Sequence, residues 1–400
     1  MKILIINSGP KPLPAVDGGG VETLIQFLIA GIGDKYDLTV VSVFSEKAEQ
    51  ESKKYPNVKF EYLNINGIKY KLQLIIYYLF NHFVGRDIGN AFCNLLKHKI
   101  DVGKYDVVIS ENGVRLGKSL RKLCKGKLIL HLHNDWLNVY TKNASIYKNS
   151  YDEIWAISGF LKKRVDAIKG KTITRVLYNG VDTTLFCQSQ KLVRHEIRNK
   201  YGISDSDIVI ANCCRIVEEK GVLQTIKVFK KVQKQYDKNN LKLLIIGDVS
   251  NETSYIEKVK AISNEDVIFT GYVPHNELPC IMGCSDIGIA STIHLNSKYG
   301  KMGYEGVIEC FNLTVIEFLS LGIPVIATNS GGMPEILAND FSDNIIDAQE
   351  AKFEDGLLDA LLNLLESNEV RKMESKCLQT ASIFSKDKYI SQFNNYVMNL

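Results

Sequence analysis

The chain alternates strand-like and helix-like segments, and it does so in two successive rounds. Short runs rich in Val, Ile and Leu occur at 2–7, 38–44, 58–63, 107–110, 128–132 and 153–157, and runs of this length and content read as strands. Between the first two, Val21, Leu24, Ile25, Leu28, Ile29 and Ile32 recur at helical spacing. The rhythm restarts beyond a joint at 179–193. Strands are expected at 208–212, 241–247, 267–270, 287–290 and 325–328, and helices at 222–236, 256–262, 276–282 and 313–321. Helical periodicity returns at 357–366 and in the last thirty residues. Such alternation builds parallel βαβ units, and 400 residues exceed what one hydrophobic core holds. The expected class is α/β, with two Rossmann-like domains of similar size. Ligands of open α/β sheets sit beyond the carboxyl ends of the strands. Two such domains facing across a cleft can each bring half of a bimolecular reaction to it on their loops.

Hydrophobic residues make up 45% and charged residues 24%, which excludes a disordered or collagen-like chain. No apolar window reaches the roughly 20 residues that span a bilayer. The richest, 72–83, is little more than half as long and contains Gln73, Asn81 and His82. The opening nine residues are too short for a signal-peptide core and read as a strand. Nine scattered cysteines without a secretion signal are expected as reduced thiols in a cytoplasm. Cys213 and Cys214 are adjacent, and Cys280 and Cys284 lie a helical turn apart, but no second close pair completes a zinc site.

Charge is divided unevenly. Residues 1–180 hold 27 Lys and Arg against 16 Asp and Glu, a net +11, while 181–400 hold 22 against 29, a net −7. The first half is therefore expected to meet an anion, either nucleic acid or a membrane surface. No zinc-finger, aromatic RNA-binding or helix-turn-helix signature supports nucleic acid. The segment 68–99 mixes Lys69, Lys71, Arg86, Lys97 and Lys99 with Tyr70, Tyr77, Tyr78, Phe80, Phe83 and Phe92. Two readings fit it: an interfacial membrane helix, or a buried helix with a solvated basic rim.

Chemistry concentrates between 309 and 335. Glu309 and Glu317 stand eight positions apart, followed by Gly322-Ile323-Pro324-Val325 and then Gly331-Gly332-Met333-Pro334-Glu335. A helix starting near Leu313 and capped by Gly322 puts Glu309 just before its N-terminus and Glu317 about one turn inside. Free amides at that terminus favour a diphosphate, and carboxylates beside it accept hydrogen bonds from sugar hydroxyls. Solvated glutamates would show the same residues without the flanks. Asp205-Ser206-Asp207 precedes a strand and reads as a turn or cap rather than a metal motif.

The stretch 309–335 strongly resembles the retaining glycosyltransferases of family 4, which have the GT-B fold. Other stretches agree in order: Gly18-Gly19-Gly20 with Glu22, His131-Leu132-His133-Asn134-Asp135, Arg215 through Lys220-Gly221, Gly247-Asp248 and Phe269-Thr270-Gly271. The resemblance spans about 1–340. It implies domains at 1–182 for the acceptor and 183–384 for the nucleotide sugar, with a helix at 385–400 crossing back to the first. Arg215 and Lys220 are then expected to clamp the donor diphosphate, Glu317 to bind ribose and Glu309 to hold the transferred sugar. Amides of Phe311, Asn312 and Leu313 would face the phosphates, and Gly19 and Gly20 would let a loop approach the donor. His133 is the candidate beside the reacting sugar, with His131 and Glu22 toward the acceptor. A core histidine bonded to backbone gives the same strand-end pattern, and a plain turn gives the same glycines.

The implied reaction moves a hexosyl group from a nucleoside diphosphate, with uridine expected, to a hydroxyl of a glycan or lipid-linked acceptor, with retention. It requires no cofactor and no metal. The implied setting is surface polysaccharide or glycolipid synthesis in the cytoplasm, peripheral to the inner membrane face. Two other classes share parts of the pattern: a GT-B nucleotide-sugar epimerase, and a non-catalytic transferase-like partner subunit. This chain departs from the family in an insertion at 294–307, which reads as a lid, an acceptor contact or a loose loop. It departs again at Asn312, where the family has glycine and where asparagine is expected to tolerate a left-handed turn.

Overall fold

The computed structural model describes residues 1–79, 89–236, 240–250, 253–295, 309–337, 341–367 and 370–400. Most of the 294–307 insertion, and Phe80, Phe83 and Arg86 of the basic-aromatic segment, lie outside them. The chain divides into two compact units, 1–179 with 387–400, and 180–386. The change-over falls where Val181 bridges Ser385 and Asp182 pairs with Lys386 at 2.8 Å, contacts that keep both segments in the second unit.

In the first unit, seven parallel strands form one sheet: β1 (Lys2–Asn7), β2 (Asp37–Val43), β3 (Val58–Leu63), β4 (Val107–Glu111), β5 (Lys127–Leu132), β6 (Glu153–Ala156) and β7 (Ile173–Val176). Their order is β3-β2-β1-β4-β5-β6-β7. The inner strands are buried on both faces, so they read as continuous apolar runs rather than alternating ones. The helix Gly20–Ile32 lays Leu24, Ile25, Leu28, Ile29 and Ile32 on the sheet, against Ile3, Ile5 and Val40. Each such side chain, fully buried, contributes about 1.5–3 kcal/mol. The terminal helix Lys386–Met398 adds Tyr389, Phe393 and Val397 to this core at i, i+4 and i+8. There Phe393 meets Trp155 edge-on at 5.3 Å.

The second unit holds a six-stranded parallel sheet: β8 (Ile208–Cys213), β9 (Leu241–Ile246), β10 (Val267–Gly271), β11 (Ile287–Ala290), β12 (Val325–Thr328) and β13 (Ile345–Ile346). The order is β10-β9-β8-β11-β12-β13. Its core joins the helix Val222–Gln235 to the helix Glu350–Ser367 through Phe229, Phe353, Leu357 and Leu361. Strands β7 and β13 exceed the sequence expectation. Both are sheet edges, and β13 has two residues while β7 is half-exposed, so neither needs a long apolar run.

Each sheet reverses its winding once, between β1 and β4 in the first unit and between β8 and β11 in the second. The crevices beyond these strand ends are where open sheets take ligands.

Candidate active site

In the second unit the loop leaving β8 turns sharply at Gly221, whose φ is +62°. A Cβ there would stand 2.4 Å from the Ser291 carbonyl oxygen, so only glycine lets this loop pack on the end of β11. Ser291 Oγ donates to the Lys220 carbonyl at 2.6 Å, and Asn212 donates to Ser291 Oγ at 2.7 Å. Lys220 Nζ is thereby aimed at the Glu309 carboxylate, with which it pairs, and donates to Thr292 Oγ1 at 3.2 Å. Thr292 in turn donates to Glu309 Oε2 at 3.1 Å. The Glu309 amide donates to Ser330 Oγ at 3.2 Å, and Ser330 also meets His294 Nε2 at 3.0 Å.

The helix Leu313–Ser320 begins just beyond. Asn312 caps it, accepting from the Val315 amide at 3.3 Å. Its φ of −114° is extended rather than left-handed. The left-handed expectation is corrected: a side-chain cap, which glycine could not supply, sets the turn. The amides of Asn312 and Leu313 find no acceptor among the described residues, as the first turn of a helix requires.

Glu317 lies in the second turn and is buried. Burial pushes its carboxyl up to about 7. It acts electrostatically on the Cys213 thiol, whereas Cys214 feels Lys220, Glu309 and Arg215. Arg215 is exposed and lines a cavity of about 550 Å³ with Cys213, Gly247, Asp248, Tyr272 and Thr314.

In the first unit the reversal point carries a second cluster. Glu111 ends β4 directly beside His131 of β5 in the sheet register. Its Oε2 accepts from His133 Nε2 at 2.8 Å and lies 3.0 Å from His131 Nδ1. All three side chains are buried, and Tyr389 stacks on His131 at 6.3 Å. Burial raises Glu111, but the histidines outweigh it and bring it down to about 2. Burial, with His131 beside it, lowers His133 to about 4. Asn112, at φ +56°, accepts from the His133 amide at 2.9 Å and so fixes the strand end. Among the described residues these three form the one group whose ligand atoms, within 4.8 Å of one another, have the chemistry to share a metal ion. Glu22 is nearly buried, and burial raises its carboxyl, opposed by Lys11 and Asn7. Its Oε2 would lie 2.2 Å from a Cβ on Gly19, so the bare glycine is what admits it.

The family model described as Glycosyl transferases group 1 matches residues 193–377. YtcC of Bacillus subtilis, a protein named as a glycosyltransferase, is 23% identical over 366 residues, covering 87% of this chain and 80% of that one. The N-acetyl-alpha-D-glucosaminyl L-malate synthase of Bacillus anthracis is 22% identical over 277 residues, covering 67% and 66%. Anabaena Alr3699/HepE in complex with UDP shares the fold over the full length of both chains, with a TM-score of 0.73 at 17% identity. The chain is a transferase with the GT-B fold.

Sequence reading of the transferase missed Glu111, Thr292 and Ser330. Glu111 ends β4 and Thr292 follows β11, strands at the two reversal points, so the strand order could have flagged these two. That order is a tertiary fact.

Proposed function

We propose that this transferase moves a hexosyl group from a uridine diphosphate sugar to an acceptor hydroxyl, with retained anomeric configuration. The observation that carries the reading is the Lys220–Glu309 pair, with Glu309 four residues ahead of a helix at whose start the Asn312 and Leu313 amides find no acceptor among the described residues. A fixed cation and a helix N-terminus together suit a donor diphosphate. On this reading Arg215 and Lys220 neutralise the phosphates, and the Phe311, Asn312 and Leu313 amides face them. Glu317 takes the ribose hydroxyls and Glu309 the sugar. The cavity lined by Arg215, Gly247 and Tyr272 takes the base. The complex of HepE with UDP supports uridine.

The bond from the anomeric carbon to the diphosphate oxygen breaks, and its electron pair leaves with the phosphate. The acceptor oxygen attacks on the same face and passes its proton to that phosphate. No protein nucleophile and no metal take part. His133 borders the reacting sugar, with Gly19 and Gly20 supplying close backbone approach. Glu22 faces the acceptor, and His131 backs His133 from inside the core.

The acceptor on this reading is a lipid-linked glycan at an anionic membrane. The helix Ile68–Leu79 leaves Ile68, Leu72, Ile75, Ile76 and Leu79 exposed. These positions share one helical face, and the half of the chain that carries them has a net charge of +11. No helix among the described residues is long and apolar enough to cross a membrane.

Calorimetric titration with UDP, GDP, ADP and dTDP, followed by transfer assays with the sugar nucleotides of the base that binds, tests the reading. UDP binding and a transfer product of retained configuration are expected. Interconversion of the free sugar nucleotide without acceptor, or no nucleotide binding, overturns it.

A further inference from the structure

The eight residues after His133 do something unusual for a loop: they are tightly fixed, yet they leave three large apolar side chains in water. Trp136 is 58% exposed, Val139 54% and Tyr140 56%. Between them Leu137 and Asn138 are buried and hold the segment down. Asn138 donates to the Asp135 carbonyl at 3.0 Å and to its carboxylate at 3.1 Å, and accepts from the Tyr140 amide at 2.9 Å. Thr141 Oγ1 accepts from the Asn138 amide at 3.0 Å and donates to the Trp136 carbonyl at 3.1 Å. Arg164 clamps Asp135 with two contacts, Nε to Oδ1 at 2.9 Å and Nη2 to Oδ2 at 2.8 Å. A loop exposing such residues by default would not be held at so many points.

We propose that Trp136 and Tyr140 form a stacking platform for a neutral sugar ring of the acceptor, which makes the acceptor a glycan at its reacting end. The inference rests on the transferase reading above and names the substrate class of that site. Three observations carry it. First, the platform continues directly from His133, at the carboxyl edge of β5. Second, the segment 134–141 contains one ionic side chain, Asp135, and Arg164 neutralises it. With that charge paired, these eight residues suit a neutral ring. Third, Trp and Tyr present a rigid apolar face edged by one N–H or O–H. A pyranose in its chair form offers the complement, a face of C–H bonds edged by hydroxyls. The fixed loop lowers the entropy lost on binding.

The chain has two tryptophans and Trp155 is fully buried, so Trp136 is the exposed fluorescent reporter. Titration with methyl glucoside, N-acetylglucosamine, maltotriose and chitotriose is followed by Trp136 emission and by saturation-transfer NMR. At least one saccharide is expected to shift the emission, with saturation transfer to its ring protons. Trp136→Phe should keep binding within about threefold by NMR, because the aromatic face remains. Trp136→Ala and Tyr140→Ala should each weaken it at least tenfold, while the UDP affinity of both stays within twofold of the parent. Absence of any saccharide effect overturns the platform, as does an emission shift seen with phosphatidylglycerol vesicles alone. Failure of UDP to bind the parent protein defeats the transferase reading instead, and is scored separately.

Discussion

Glu111 Oε2 lies 2.8 Å from His133 Nε2, with both side chains out of solvent. That contact selects one tautomer: Nε2 carries the proton and Nδ1 keeps its lone pair. We predict that Glu111→Gln, which keeps the shape and removes the charge, redistributes the two histidine tautomers and lowers kcat at least tenfold. Long-range proton–nitrogen NMR of the imidazoles reads the first effect and steady-state assay the second. The pair also sets acid sensitivity. Both folded-state values are depressed, His133 from 6.5 to about 4 and Glu111 from 4.5 to about 2. The unfolded chain therefore binds more protons, and their stabilisation is lost as pH falls, first below 6.5 and then below 4.5. Glu111→Gln should flatten the lower part of that loss in thermal melts. Unchanged tautomers with unchanged kcat would falsify the positioning role, and equimolar bound metal would reassign the cluster.

Lys220 is expected to dominate diphosphate affinity. We predict that Lys220→Ala weakens UDP binding 10- to 100-fold, about 1.4–2.8 kcal/mol. It should also lower the melting temperature, because Glu309 would keep a partly buried charge with no cation. Lys220→Arg should recover part of the stability and less of the affinity, since the planar guanidinium does not place its charge where the ammonium does. Calorimetry showing equal UDP affinity for all three proteins would remove Lys220 from the donor site.

Glu317 makes binding pH-dependent. Its carboxyl is raised by burial from 4.5 to about 7. Its contribution to stability is therefore complete below pH 4.5 and lost as pH rises through 7. The difference is on the order of 3 kcal/mol at about 1.4 kcal/mol per unit. Ribose hydroxyls donating to the carboxylate favour its ionised form, so UDP affinity should rise between pH 5.5 and 7.5 with release of a proton. Glu317→Gln should abolish both slopes. Calorimetry in buffers of different ionisation enthalpy checks this, and a parent protein that releases no proton contradicts it.

The exposed face of the helix Ile68–Leu79 is predicted to sit in the interfacial region of an anionic bilayer. Leu72→Asp with Ile76→Asp should reduce co-sedimentation with phosphatidylglycerol vesicles at least tenfold and leave UDP affinity unchanged. Parent protein that remains in the supernatant would show that this face serves something other than lipid.

Much of the fold could be read directly from local sequence. The helix Gly20–Ile32 was visible because Leu24, Leu28 and Ile32 recur on one face, and the strands because runs such as 3–6 have no polar interruption. The edge strands β7 and β13 were not visible, since a strand paired on one side needs little apolar content. In the second unit, Glu309, Asn312 and Glu317 were legible because they lie within nine residues of one helix start. Thr292 and Ser330 were not, because they reach Glu309 from 17 and 21 positions away.

Sequence alone determined the element types, the doubled α/β plan, and the placing of Glu309 and Glu317 about the start of one helix. Periodicity and capping act within a few residues, so local order is enough to encode them. Tertiary structure decided which strand ends meet. Glu111 and His133 are 22 positions apart and become partners because β4 and β5 pair in parallel. Lys220 reaches Glu309 across 89 positions because β8 and β11 are neighbours and Gly221 has no Cβ to keep the loop away. Strand order is fixed by how the whole core packs, and no short window of sequence contains it.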